Sequence, residues 1–140
     1  MFSLKSLLLG GFAVLAAGLP AAAETVTITI KNVRSSSGMV LAQMCDNPEG
    51  YPRANCRYQT AVPAELGSVT LVFEGVAPGT YAVAAFHDED GDFVPTIPGE
   101  GFAYSNDAPP PRPMPDASFA VKGDTRQTMH MIYERKDQPK

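Results

Sequence analysis

The chain has 140 residues, with fifteen acidic side chains against eleven Lys and Arg, and it contains thirteen prolines, twelve glycines and no tryptophan. An acidic chain without a basic cluster argues against nucleic acid and against an anionic membrane surface as partners. Abundant turn residues and missing helical periodicity favour short strands joined by turns.

The first element along the chain is a predicted secretory signal peptide at residues 1–23. It has one early lysine, an apolar run from Leu7 to Leu19, and small residues that predict cleavage between Ala23 and Glu24. The apolar run is about 13 residues long, which is shorter than the ~20 residues needed to span a bilayer. We therefore expect an exported protein, either periplasmic or secreted, whose mature chain carries a net charge of −5 and no membrane span.

The mature chain is dominated by strand patterns. In the first of them, apolar residues alternate with threonines, which is typical of a strand with one buried face. The predicted strands lie at 25–33, 38–45, 67–76, 80–88, 117–123 and 125–133, with a further short strand near 57–62. These patterns predict an all-β fold, a single antiparallel β-sandwich of six to seven strands in one domain at 24–140, with its core at about 26–133.

Two cysteines, Cys45 and Cys56, flank the ten-residue stretch "DNPEGYPRAN". Its prolines and glycine allow the chain to double back, and an exported protein meets an oxidising compartment. A redox pair would favour closer spacing at a helix start. The sequence therefore favours a structural disulfide between the two cysteines.

The segment "FEGVAPGTYAVAAFHDED" resembles the hallmark of transthyretin-like and immunoglobulin-like sandwich modules. Pro78 and Gly79 suit a tight turn, and Tyr81 can pack at the corner while its hydroxyl reaches the backbone. Together with "DNPEGYP", "IPGEGFAYSN" and "DASFAVKG", the chain resembles the bacterial domain of unknown function 2141 family from about Val26 to Tyr133. This resemblance implies an exported sandwich domain without an established activity.

The stretch "FHDEDGDF" ends the strand at 80–88 and opens a long connection rich in Pro and Gly. Asp88, Asp90 and Asp92 stand at alternate positions, an arrangement that lets an irregular loop surround calcium. An EF-hand loop, however, needs glycine at its sixth position and glutamate at its twelfth, and here the fourth position is Gly91 and the twelfth is Gly99.

Compared with the family, only "FVPT" separates Asp92 from the "IPGEGFAYSN" element, whereas relatives commonly have a further glycine and aspartate. Glu100, Asn106, Asp107 or backbone carbonyls would have to supply the remaining oxygens. The sequence therefore favours a solvated acidic turn without a cofactor, and a calcium site formed by Asp88, Asp90 and Asp92 stays an alternative.

Catalytic chemistry has little support. His87 and Asp88 could form a base with its carboxylate, but adjacent residues on a strand point to opposite faces. We expect His87 to be a strand-end histidine with hydrogen bonds in the loop. The sequence contains no nucleophile elbow, HExxH or paired CxxC. It favours a non-catalytic protein, although a metal-dependent enzyme using His87 with the aspartates stays an alternative.

The segment "TMHMIY" invites a copper hypothesis because thioethers and imidazole bind Cu(I). Alternation places Met129 and Met131 on one face and His130 on the other, so we expect buried methionines and an outward histidine. Met114 lies in the tract "NDAPPPRPMPD", which is interpreted as a stiff strap across the sandwich. Phe102 and Tyr104 are expected either to pack this loop or to line a shallow cleft.

The sequence thus predicts a monomeric, non-catalytic binding or structural module of the cell envelope. It would act through the long acidic loop on an envelope protein, a glycan or a peptide. The alternative is a calcium-binding protein.

Overall fold

The computed structural model of the chain describes residues 23–49, 51–52, 56–96 and 98–134. The predicted signal peptide, apart from Ala23, lies outside the described residues. The first strand begins at Glu24, which directly follows the predicted cleavage position.

The described residues form nine strands, one 3₁₀ turn and one short helix. The strands are β1 (Glu24–Val33), β2 (Met39–Cys45), β3 (Tyr58–Pro63), β4 (Gly67–Val76), β5 (Gly79–Asp88), β6 (Gly101–Tyr104), β7 (Phe119–Val121), β8 (Thr125–His130) and β9 (Ile132–Tyr133). The 3₁₀ turn spans Ser105–Asp107, and α1 spans Met114–Ala117. The count exceeds the predicted six to seven because β6 lies in what the sequence predicts to be a connection, and because the last predicted strand is divided into β8 and β9.

Two open sheets pack face to face, which confirms the predicted sandwich. The smaller sheet has the order β4-β1-β8, and the larger has the order β3-β2-β5-β6-β9. Strand β7 also pairs with the first residues of β5. All pairings are antiparallel except the one between β1 and β8, which is parallel. The sandwich is therefore mixed rather than purely antiparallel.

The main core lies between the sheets and follows the alternation seen in the sequence. From β1, Val26, Ile28 and Ile30 are fully buried, whereas the threonines between them are partly exposed. The methionines Met129 and Met131 are also fully buried in this core. Burying a side chain of this size contributes roughly 1.5–3 kcal/mol relative to exposing it, so these positions set the register of the strands.

A second apolar cluster covers the outer face of β5. It contains the two cysteines, Tyr51, Ala82, Ala84, Ala108, Met114 and Ala117, with Tyr104 packed against it. Met114 and Ala117 belong to α1, so the proline tract does run as a strap over the sheet. The strap is fixed because Asn106 Nδ2 donates to the carbonyls of Asp116 and Ser118 at 3.1 and 2.9 Å.

The pairing registers give β5 two distinct ends. In the first half of β5, Ala82 pairs with Cys45. We call this side of the sandwich, which contains the cysteines, the disulfide end. At its last residue, Asp88 pairs with Met39, and Met39 pairs with Pro63 on its other side. We call this second side the acidic end, formed by the loops at residues 34–38, 64–66 and 89–100.

Candidate functional site: the acidic end

The pairing of β5 with β6 brings the two ends of the acidic loop together. Gly101 pairs with His87 in an antiparallel register. Because residue numbers run in opposite directions across such a pair, Glu100 stands opposite Asp88. A residue that is twelve positions away in sequence thereby joins the start of the loop.

Four carboxylates converge at this place. One oxygen from each of Asp88, Asp90, Asp92 and Glu100 lies within 4.8 Å of the others. The structure thus brings together the three aspartates singled out in the sequence and one of the residues considered as a substitute ligand. The other two substitutes lie elsewhere, since Asn106 binds the strap and Asp107 Oδ2 lies 2.7 Å from His130 Nδ1.

The aspartates also shape the turn. Asp88 accepts hydrogen bonds from the backbone N–H groups of Gly91 and Phe93, both at 3.1 Å. Asp90 accepts from the N–H of Asp92 at 3.1 Å, and Asp92 accepts from that of Val94 at 2.9 Å. Each carboxylate therefore folds the next residues of the loop inward, so that successive acidic groups face one centre.

Phe93 occupies the sixth position counted from Asp88, and its φ is 59°. An EF-hand loop uses glycine at this position because of its sharp turn. Phe93 adopts the left-handed conformation despite its bulk, so the missing glycine does not prevent a sharp turn at this position. Holding a bulky residue there costs of the order of 1 kcal/mol or more, and the Asp88 hydrogen bond helps to stabilise it.

Glu100 is buried, with 6% of its surface exposed. One carboxylate oxygen, Oε2, accepts from the N–H of Thr96 at 3.0 Å, and the other, Oε1, has no hydrogen-bond partner. Burial raises the pKa of this carboxyl above its usual range, and the charges of Asp90, Asp88 and Asp92 raise it further. A buried carboxylate oxygen without a partner is costly, so this side of the cluster suits a bound cation.

An ion pair anchors both ends of the loop to the β1–β2 connection. Arg34 Nε donates to Glu89 Oε1 at 3.0 Å, and Arg34 Nη2 donates to Glu89 and, at 2.8 Å, to the carbonyl of Gly99. Ser35 donates to Glu89 Oε2 at 3.1 Å. Burial acts to raise the pKa of Glu89, but the bonds from Arg34 and Ser35 outweigh it and lower this pKa. Glu89 thus connects the loop to Arg34 and Ser35 and is not one of the four clustered carboxylates.

His87 is fully buried on the core side of β5. Its Nε2 lies 2.6 Å from the carbonyl of Ser37, so this nitrogen donates. Its Nδ1 lies 2.8 Å from the hydroxyl of Tyr133, which accepts in turn from the N–H of Arg34 at 3.1 Å. His87 is a hydrogen-bonded strand-end histidine as predicted, but its partners lie in the 34–38 connection and in β9 and not in the acidic loop. Both ring nitrogens are engaged on the face opposite Asp88.

The close approach of β9 depends on Gly101. A Cβ atom at this position would overlap the ring of Tyr133 and come within 2.7 Å of Met131 Cγ. Gly101 therefore allows Tyr133 to reach His87, and it is the first residue of β6, directly after Glu100.

The disulfide end contains the predicted bond between Cys45 and Cys56, whose Cα atoms are 4.6 Å apart. The tyrosine corner is also present, because the Tyr81 hydroxyl donates to the carbonyl of Ala77 at 2.6 Å. Neither feature approaches the carboxylate cluster.

The copper hypothesis loses its geometric basis. Met129 and Met131 are buried in the core, whereas His130 is exposed and bonds Asp107, as the alternation predicted. Met114 lies in the second apolar cluster.

Sequence reasoning did not anticipate the role of Arg112. Its guanidinium carbon lies 4.5 Å from the ring centre of Phe102 and 5.0 Å from that of Tyr104. Of the two expectations for these aromatics, packing the loop is the one that the structure supports.

Within the described residues, no helix is both long and apolar enough to cross a membrane. A comparison with protein families matches residues 28–129 to the family described as "Uncharacterized protein conserved in bacteria (DUF2141)". No curated protein and no solved structure matches the chain. The match covers well over half of the chain and includes most of the sandwich and its acidic loop, so the chain belongs to the DUF2141 family.

Proposed function

We propose that this protein is an exported, non-catalytic binding module of the cell envelope that holds a calcium ion in the loop between β5 and β6. The observation that carries the proposal is the buried Glu100, which lies in one cluster with three aspartates and has a carboxylate oxygen without a hydrogen-bond partner. The ligands would be Asp88, Asp90, Asp92 and Glu100.

The donor set determines the class of metal. All four groups are carboxylates, and oxygen-only sites suit hard cations such as calcium and magnesium rather than copper or zinc. An irregular loop with carboxylates at alternate positions favours calcium, because calcium tolerates flexible geometry and magnesium demands a near-ideal octahedron.

The hydrogen bonds of the loop leave the carboxylates able to bind. Asp90 and Asp92 each use one oxygen in the turn, and Glu100 keeps Oε1 free. Each ionised oxygen also offers more than one lone pair. A central cation would offset the mutual repulsion of the four negative charges.

The non-catalytic part of the proposal is supported by His87. This side chain is buried, its two nitrogens contact Ser37 and Tyr133, and it lies on the opposite face of β5 from Asp88. The alternative of an enzyme that combines His87 with the aspartates therefore lacks a shared site.

Calcium titration of the mature protein followed by thermal unfolding tests the proposal. After treatment with EDTA, added calcium is expected to raise the Tm, since a ligand selective for the native state stabilises by about 2.7 kcal/mol at a hundredfold excess over Kd. Magnesium is expected to act more weakly, and zinc and copper are expected to give no comparable rise.

Two variants locate the effect. D90N/D92N should abolish the calcium response while leaving the unfolding of the calcium-free protein nearly unchanged, because both side chains are exposed. E74Q serves as the matched control, since Glu74 is an exposed acidic residue of β4 outside the cluster. An unchanged Tm of the wild type in calcium would contradict the proposed function.

A further inference from the structure

The acidic end also carries the three most exposed large hydrophobic side chains among the described residues. Leu66 is 72% exposed, Phe93 is 69% exposed and Val94 is 58% exposed. Phe93 and Val94 directly follow Asp92 in the loop, so two large apolar groups stand beside the carboxylate cluster.

Leu66 belongs to the same end of the sandwich. It lies between Pro63, which pairs with Met39, and Gly67, which pairs with Val33. Its N–H donates to Ser36 Oγ at 3.2 Å, and the neighbouring Ser35 donates to Glu89 of the acidic loop. The 64–66 and 89–100 loops are thus both tied to the 34–38 loop.

The position of Phe93 is imposed by the site. Its N–H donates to Asp88, and its backbone takes a φ of 59° that a bulky side chain rarely adopts. The same carboxylate that would bind the ion therefore also places the phenyl ring outside the loop. Burying the phenyl ring in the core would have offset the strain of the positive φ, but the ring is exposed to solvent.

The charge of the acidic end determines which kind of lipid surface it can bind. Four carboxylates and one calcium ion leave a net negative charge, and the mature chain as a whole carries −5. An anionic surface would be repelled, whereas a zwitterionic headgroup offers a phosphate oxygen for the cation and an ammonium group for the remaining carboxylates. With one oxygen from each of the four carboxylates, a cation that takes six to eight oxygens keeps coordination positions open.

We infer that the acidic end docks on the surface of a zwitterionic phospholipid bilayer when calcium is bound. Calcium contacts the headgroup phosphate, and Phe93, Val94 and Leu66 enter the boundary between headgroups and acyl chains, where amphipathic protein surfaces bind. This inference rests on the proposed calcium site.

Sedimentation with phosphatidylcholine vesicles, in calcium and in EDTA, tests the docking. The wild type is expected to sediment with vesicles only in calcium, and replacing part of the phosphatidylcholine by phosphatidylglycerol should weaken binding. F93A/V94A should bind calcium in calorimetry as the wild type does, but should lose roughly tenfold in vesicle binding. V72A is the matched control and should bind like the wild type, because Val72 is an exposed apolar residue on β4, away from this end.

The outcomes separate the two proposals. Absence of calcium binding in calorimetry would overturn both of them. Calcium binding without vesicle sedimentation, or equal sedimentation of F93A/V94A and wild type, would overturn the docking alone. Binding that requires phosphatidylglycerol would also overturn it. Calcium-dependent self-association without lipid, lost in F93A/V94A, would identify a second copy of the chain as the occupant instead.

Discussion

The loops at the two ends of β5 are held in place by different kinds of interaction. At the disulfide end, a covalent bond, aromatic contacts and buried apolar groups hold the loop that follows β2 and the strap before β7. At the acidic end, carboxylates and one arginine organise the loop, and negative charge accumulates in the cluster. The first end is stabilised without a ligand, whereas the second has an arrangement that a cation would complete.

The distance between the ends makes the comparison testable. Ala82 and Asp88 are six residues apart on one strand, which corresponds to roughly 20 Å. Changes at sites this far apart are normally additive in stability. A change at the disulfide end should therefore leave the calcium response intact.

The largest expected effect is removal of the disulfide. C45A/C56A should lower the free energy of unfolding by about 3 kcal/mol, because the bond restricts the unfolded chain over a loop of this length. Urea denaturation with and without calcium measures the loss, and it should be the same in both conditions. If calcium abolished this loss of unfolding free energy, the two ends would be energetically coupled and not independent.

The next effect concerns Asp88, which is fully buried and supports two backbone N–H groups. D88A should destabilise the calcium-free protein by about 2 kcal/mol, since each bond to a charged group contributes of the order of 1 kcal/mol or more. Urea denaturation in EDTA provides the measurement. D90A, which removes a single exposed contact, is the control and should cost far less; equal losses would contradict the structural role of Asp88.

A smaller effect is expected at the tyrosine corner. Burial and the neighbouring Tyr58 raise the pKa of Tyr81 to about 12, so its hydroxyl donates to Ala77 throughout the neutral range. Y81F should cost about 1 kcal/mol, the typical net contribution of one hydrogen bond. The same denaturation experiment should show this loss with an unchanged calcium response. A changed calcium response in Y81F would argue against the independence of the two ends.

The smallest expected effect is a pH dependence due to Glu100. Its folded-state pKa lies above the ordinary 4.5, so the folded state binds more protons than the unfolded state in this window. The stability of the calcium-free protein should therefore fall as the pH rises from 4.5 through the raised pKa.

E100Q should remove this dependence, and it should abolish calcium binding while retaining an oxygen for the Thr96 N–H. Thermal unfolding across this pH range in EDTA provides the measurement, with E74Q as the control. Identical pH profiles for E100Q and the wild type would show that Glu100 does not carry the effect.

Much of the scaffold could be predicted because its signals are local. Alternation on β1 placed the core residues correctly, and the Pro-Gly turn before Tyr81 predicted the corner with its hydroxyl bonded to backbone. The spacing of Cys45 and Cys56 around a turn-rich loop predicted the disulfide. Each of these features depends on residues that are close together in the chain.

The candidate site was only half predictable. The aspartates were visible as a local cluster, but Glu100 entered it because Gly101 pairs with His87. Strand β6 has only four residues, and no local pattern distinguished it from the surrounding connection. The positive φ of Phe93 likewise followed from the Asp88 hydrogen bond and not from the intrinsic preference of phenylalanine.

The sequence by itself determined the strand periodicity, the positions of the turns and the location of the acidic loop, because the physical causes act between neighbours along the chain. Only the tertiary structure decided the parallel pairing of β1 with β8, the burial of His87 against Ser37 and Tyr133, and the fourth carboxylate of the cluster. These features depend on which strands become neighbours, and that choice is set by packing of the whole sandwich.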